Sequence, residues 1–192
     1  MGWTLVGNIR GPTGSTGSQG PAGETTIGPQ GPQGNSGSAG ADGAPGLGWT
    51  QIAYKSADQT LLGTAYVDVT GLGLAVAASK AYAFEFWLLC DADAVTTGID
   101  VACNGPASPT AIQYEQVYWT SATVRVERHG AAYDANTAST ASSGTARRWF
   151  RVKGVLVNGS NAGTLIARAK REAVGTGPNV RAGSFGRLSL LN

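Results

Sequence analysis

Near the N-terminus, glycine occupies every third position in two successive runs, and this spacing restricts the fold more than any other feature of the chain. The twelve positions are Gly11, Gly14, Gly17, Gly20, Gly23, Gly28, Gly31, Gly34, Gly37, Gly40, Gly43 and Gly46. Three chains wind into a collagen-like helix only with this period, because a side chain does not fit at the shared axis. The spacing therefore predicts a homotrimer whose triple-helical shaft covers residues 11–48 and is about 110 Å long.

Proline and the one irregular step refine this prediction. Proline lies next to glycine at Pro12, Pro21, Pro29, Pro32 and Pro45, where its fixed φ suits the extended left-handed helix. The shaft is expected to be interrupted at 24–27, where two glycines stand five residues apart. A flexible Gly/Ser/Pro linker is the alternative, but a linker does not require glycine at a fixed spacing.

The remaining residues, 49–192, predict a second, all-β domain. Residues 81–90 alternate apolar and other side chains, as a half-buried strand does, and 111–119 and 147–157 continue this pattern. Gly/Asn/Pro-rich turns separate nine or so such segments, which include 50–55, 64–69, 73–77, 164–171 and 180–191, and no amphipathic helix is evident. We expect a trimeric, jelly-roll-like β-sandwich that also holds the three chains of the shaft in register.

Several segments resemble structural proteins of tailed bacteriophages. The opening 2–12 (GWTLVGNIRGP) runs directly into collagen triplets. Four further segments are similar to a head domain of phage fibres: 82–89 (YAFEFWLL), 104–109 (NGPASP), 132–134 (AYD) and 182–185 (AGSF). The resemblance implies a fibre on the exterior of the virion, with an N-terminal peptide docked on the particle and a C-terminal knob pointing outward. It brings no catalytic residues with it.

The first ten residues fit the role of an anchor. Four apolar side chains, too few to form a core, could be buried against another virion protein: Trp3, Leu5, Val6 and Ile9. Fraying in solution is the alternative. This stretch lacks the pattern of a signal peptide, and the chain has no run of 18 apolar residues, so we expect synthesis in the host cytoplasm and no membrane insertion.

Charge is distributed unevenly over the second domain. Residues 49–124 hold two basic and seven acidic residues, whereas 125–192 hold eleven basic and three acidic ones. One strand predicted in the basic half directs Arg147, Trp149, Arg151 and Lys153 outward. This candidate patch could contact a host surface polysaccharide; the alternative is that Trp149 packs in the subunit interface with the arginines in salt bridges. A net charge of +2 without a recognition motif argues against nucleic-acid binding.

No enzymatic or metal site is predicted, and no cofactor. The single histidine, His129, is expected on the solvent side of a strand end, without the partners that a general base needs. Asp91 and Asp93 form an Asp-x-Asp pair, but the sequence shows no full set of oxygen ligands for a calcium ion around them. If 84–91 and 98–104 formed a hairpin, Cys90 and Cys103 would be cross-strand neighbours, either as buried thiols or as a disulfide.

These inferences together predict a non-enzymatic bacteriophage tail or neck fibre that presents a trimeric knob for host-surface recognition or adhesion. A capsid or collar decoration fibre with a mainly structural role is one alternative. A cellular collagen-like adhesin is another, although such a protein would normally carry a secretion signal or a wall anchor.

Deleting residues 1–10 should leave trimers intact and abolish their incorporation into particles, because only the anchor would be lost. Sedimentation measures the first effect and immunoblotting of purified particles the second. Retained incorporation of the truncated chain would refute the anchor.

Overall fold

The computed structural model describes residues 14–21, 51–92, 97–121, 123–135, 145–173 and 177–191 of the chain. The chain divides into two units, Met1–Gly46 and Leu47–Asn192. The described part of the first unit is exposed and has no regular secondary structure. The second unit contains all of the described strands.

Eleven β-strands are present among the described residues. Their bounds are β1 Gln51–Tyr54, β2 Gln59–Thr60, β3 Val67–Val76, β4 Ala81–Asp91, β5 Ile99–Asn104, β6 Ala111–Trp119, β7 Arg125–Gly130, β8 Arg148–Val157, β9 Gly163–Arg171, β10 Asn179–Val180 and β11 Phe185–Leu191. No helix in these residues is long and apolar enough to cross a membrane.

The strands form two antiparallel sheets. The large sheet has the order β1-β11-β4-β8-β6-β7, with β10 paired to the end of β4 and to β2; the small sheet has the order β3-β9-β5. The two sheets share one apolar core. The prediction of an all-β domain is confirmed.

Strand β4 lies at the centre of this arrangement. Its alternation places Phe84, Phe86 and Leu88 in the core, where each is completely buried. Phe150 and Val152 of the neighbouring β8 lie on the same side and are also completely buried. They pack with buried side chains of the small sheet: Leu72, Leu74, Val76, Val101, Leu165, Ala167 and Ala169.

Two glutamine side chains close one edge of the sandwich. The Gln51 amide donates to the carbonyl oxygen of Ala75 and accepts from its N–H, at 2.8 and 2.9 Å. The Gln59 amide makes the same kind of pair with the Asp68 carbonyl and the Thr70 N–H, both at 2.9 Å. Each amide thus replaces a peptide group and occupies backbone groups of β3 that an edge strand would otherwise expose.

Three details of the strand prediction were wrong. Segments 64–69 and 73–77 belong to one strand, β3, whose register shifts between Asp68 and Gly73. The predicted strand 180–191 is interrupted between β10 and β11. The hairpin of 84–91 with 98–104 does not form, because β4 and β5 belong to different sheets.

Gly154 of β8 lies opposite Tyr114 of β6, where a side chain on β8 would not fit. A Cβ at this position would lie 2.2 Å from the backbone oxygen of Gln113 and 2.7 Å from Cα of Tyr114. Backbone atoms in the middle of a sheet cannot move aside cheaply.

Gly154→Ala should therefore lower the free energy of unfolding by about 1–3 kcal/mol or more, the cost of overpacking. Chemical denaturation measures this change. Gly63→Ala is the matched control, because its nearest neighbour would be 3.8 Å away. Equal effects of the two substitutions would contradict the packing argument.

Candidate binding face of the large sheet

The large sheet carries a cluster of three aromatic side chains on its outer face, the side directed away from the small sheet. This aromatic cluster consists of Trp87 on β4, Trp149 on β8 and Phe185 on β11. The ring centroids lie 6.2–6.3 Å apart; Trp87 stacks on Phe185, and Trp149 meets both rings edge-on. Trp149 remains 43% exposed, so the cluster is open to solvent.

A charged ladder crosses the same face beside the aromatic cluster. Glu85 accepts hydrogen bonds from Arg187 and lies 3.7 Å from the Lys153 ammonium group. On the next strands Arg151 pairs with Glu115. The ladder thus alternates cations and carboxylates over four neighbouring strands, β11, β4, β8 and β6.

The aromatic cluster and the ladder also contact each other. The guanidinium carbon of Arg151 lies 5.5 Å from the centroid of the Trp87 ring, within the range of a cation–π interaction. The indole N–H of Trp87 donates to Glu85 at 3.3 Å. These contacts orient Trp87 on the sheet surface.

Electrostatics favour the ionised form of Glu85. Burial alone would raise the pKa of its carboxyl group, but hydrogen bonds from Arg187 and Trp87 and the charges of Arg187 and Lys153 outweigh it. The pKa of Glu85 is therefore below its ordinary value of 4.5. At neutral pH the ladder is fully charged at this position.

The structure also locates the four residues of the predicted surface patch. Trp149 and Lys153 are exposed on the outer face, and Arg151 is half-buried there. Arg147 is exposed just before β8, with its Nε 3.4 Å from Asp91. Each of the three cations has a carboxylate partner within the chain. An anionic polymer would have to compete with these carboxylates.

A second ionic cluster connects the end of β4, the residue after β10 and the loop between β1 and β2. Arg181 donates to Asp91 at 2.8 Å and to Asp58 at 2.8 Å, and Asp58 also accepts from the Ala182 N–H. These contacts hold the chain immediately before Phe185. The Asp91 carboxylate thus pairs with arginines; Asp93 lies outside the described residues.

Lys55 is a buried cation in the same region. Its ammonium group donates to the Gln59 side chain at 3.1 Å and to the Thr70 carbonyl at 3.2 Å. Burial lowers the pKa of Lys55, and the nearby charge of Asp58 only partly opposes this effect.

The remaining candidate chemistry lies away from this face. Cys90 and Cys103 are buried, free thiols on strands of different sheets. Burial raises the pKa of both thiols, which keeps them protonated and weakly nucleophilic. His129 is exposed near the end of β7. Among the described residues, no three His, Cys, Asp or Glu side chains gather as metal ligands would.

The predicted anchor and most of the predicted shaft lie outside the described residues. This holds for Trp3, Leu5, Val6 and Ile9, and for the repeat glycines Gly11, Gly23, Gly28, Gly31, Gly34, Gly37, Gly40, Gly43 and Gly46. The three described repeat glycines are Gly14, Gly17 and Gly20. A Cβ at any of these three would meet no atom within 4 Å, and none adopts a left-handed φ.

Sequence reasoning found Trp149 and its cations but missed the rest of the face. The alternation of β4 carried a usable signal, since it directs Glu85 and Trp87 to the side opposite Phe84. No local signal relates Phe185 or Arg187 to these residues, because they lie about a hundred positions further along the chain.

Comparison with known proteins gave no match, whether to a protein-family model, a curated protein or a solved structure.

Replacing Glu85 by Gln should lower the free energy of unfolding at pH 7 by about 1–3 kcal/mol, since charged hydrogen bonds are lost. A depressed pKa in the folded state stabilises the protein above pH 4.5, and this contribution disappears as the pH falls through the lowered value. The difference between wild type and Glu85→Gln should therefore shrink on acidification below pH 4.5. Denaturation at a series of pH values measures it.

Glu127→Gln is the control, because Glu127 and its partner Arg125 are both about half exposed. Such exposed pairs contribute about 0–1 kcal/mol. A difference between wild type and Glu85→Gln that stays constant down to pH 3 would contradict the ionic role of Glu85.

Proposed function

We propose that this protein is a non-enzymatic, homotrimeric bacteriophage fibre in which a collagen-like shaft carries a β-sandwich knob that adheres to the host surface. In this assignment residues 1–10 anchor the fibre to the virion, 11–48 form the shaft and 49–192 form the trimeric knob. The fibre acts on the exterior of the virion and is synthesised in the host cytoplasm.

The periodic glycines carry this proposal. Within one chain neither packing nor backbone conformation requires glycine at Gly14, Gly17 or Gly20, because a Cβ would meet nothing and φ is not left-handed. Several glycines of the second unit do have such a reason; for example, a Cβ on Gly186 would lie 2.6 Å from the Phe86 ring. Glycine at every third position, without a cause in its own chain, is expected when two other chains crowd these positions at a shared axis.

The connectivity of the knob supports a jelly-roll-like fold. From β3 to β6 the chain changes sheet at every step, and it does so again from β8 through β9 to β10. Repeated crossing between two antiparallel sheets is typical of jelly rolls. Such a unit has its own core and can terminate a shaft.

Adhesion through three knobs needs only weak individual contacts. Three copies on one rod raise the overall avidity without a deep binding pocket. Host surface polysaccharide is the partner class we propose, and other virion proteins bind the N-terminus.

The first test concerns the assembly. Full-length protein should sediment as a trimer and show a collagen-type circular dichroism signal that melts on heating. Gly17→Ala should lower that melting temperature because it places a methyl group at the crowded axis, whereas Ser18→Ala should change it little. A single-chain species, or equal melting of both variants, would overturn the shaft.

The second test concerns the location and role. Gold-labelled antibody against the full-length protein should mark rods on phage particles in electron micrographs, and the purified protein should bind host cells without hydrolysing their polysaccharide. Label on the capsid or collar without cell binding favours a decoration fibre. Label on uninfected cells favours a cellular adhesin, and released sugar would establish an enzyme.

A further inference from the structure

We propose that a second copy of this chain covers the outer face of the large sheet in the assembled protein, with the aromatic cluster at the centre of the contact. This inference depends on the proposed function, because it requires several chains in one assembly. It identifies the surface through which the knobs associate.

Exposed apolar side chains are concentrated on this face. Of the large apolar residues that are exposed in the described part of the chain, five lie on the outer face of the large sheet: Ile52, Tyr54, Trp149, Val155 and Leu191. The other four are distributed elsewhere: Leu62, Val67, Val124 and Leu190. A contiguous apolar patch on a soluble protein usually marks an interaction surface.

The register joins some of these side chains into a continuous patch around the aromatic cluster, whereas Val155 and Leu191 lie beyond the charged ladder, at the rows of Ala83 and Ala81. Tyr54 on β1 lies beside Phe185 on β11, which lies beside Trp87 on β4. Tyr54 is 62% exposed, and its neighbour on the same strand face, Ile52, is 73% exposed. The patch therefore reaches from the edge strand to the middle of the sheet.

The charges of this face are already paired, which favours burial by another protein surface. Arg151, Lys153 and Arg187 are matched within the chain by Glu85 and Glu115. Covering the face would therefore leave no isolated ion without a partner, which would otherwise be costly. An acidic polysaccharide, in contrast, would find the cations occupied.

The other surfaces of the knob are less suited to association. The outward side chains of the small sheet are largely polar and linked, with Arg168 bound to Asp68 and Asp134 and with Lys170 near Asp100. At the β3 edge, Gln51 and Gln59 occupy backbone groups that could otherwise pair with another strand.

The repeat supplies the second copy. Three chains joined through residues 11–48 would hold their knobs together at a high effective concentration, so an apolar face of moderate size would be covered even if its intrinsic affinity were low.

Hydroxyl-radical footprinting of the full-length protein tests this proposal. Labelling rates are read by mass spectrometry and divided by those of the denatured chain. Tyr54 and Trp149 should be labelled several-fold more slowly than their exposure within one chain implies. Leu62 is the internal control, because it is 73% exposed and lies in the connection between β2 and β3, outside the strands of the large sheet.

A pair of variants provides the second measurement. Trp149→Glu should lower the temperature at which the knobs dissociate, while Leu62→Glu should leave it unchanged. Both residues are exposed at the surface, so each variant should retain the β-sheet circular dichroism signal of the wild type.

The outcomes separate this inference from the proposed function. If the wild type is a single chain, both fail. If it is a trimer in which Tyr54 and Trp149 are labelled as readily as Leu62, only the inference fails. Protection that appears only after host polysaccharide is added would make the face a glycan-binding surface and would also overturn the inference.

Discussion

The alternation of side chains along β4 is the constraint on which the rest of the two-sheet unit depends. Phe84, Phe86 and Leu88 point into the core and are completely buried, while Glu85 and Trp87 point outward on the same strand. One strand thus contributes the middle of the hydrophobic core and the middle of the outer face. A shift of register by one residue would exchange the two sets, so the core and the face are fixed together.

The outer face combines features of an interior and of a surface. Its aromatic rings contact one another as buried rings do, and its carboxylate Glu85 is only 7% exposed. Yet Trp149 and Tyr54 remain accessible in the single chain. Paired charges around accessible aromatic rings are well suited to association, because the ionic groups keep their partners when water is excluded.

Local sequence patterns predicted much of this. A period of two predicted β4, β6 and β8 within one or two residues, and it directed Trp149 and Lys153 outward. It did not predict which strands pair. The hairpin of 84–91 with 98–104 was a reasonable reading of neighbouring segments, but the chain crosses to the other sheet instead, because β4 pairs with β8 and β11 and thereby has both edges occupied.

The sequence by itself determined the features that depend on near neighbours: the three-residue glycine phase, the two-residue alternation of the strands and the identity of the side chains on each face. Only the tertiary structure decided which distant segments meet. Phe185 completes the aromatic cluster, and Arg187 binds Glu85 across 102 positions of sequence. The physical reason is that periodicity reflects local backbone geometry, whereas strand partners are selected by how well whole faces pack in the shared core.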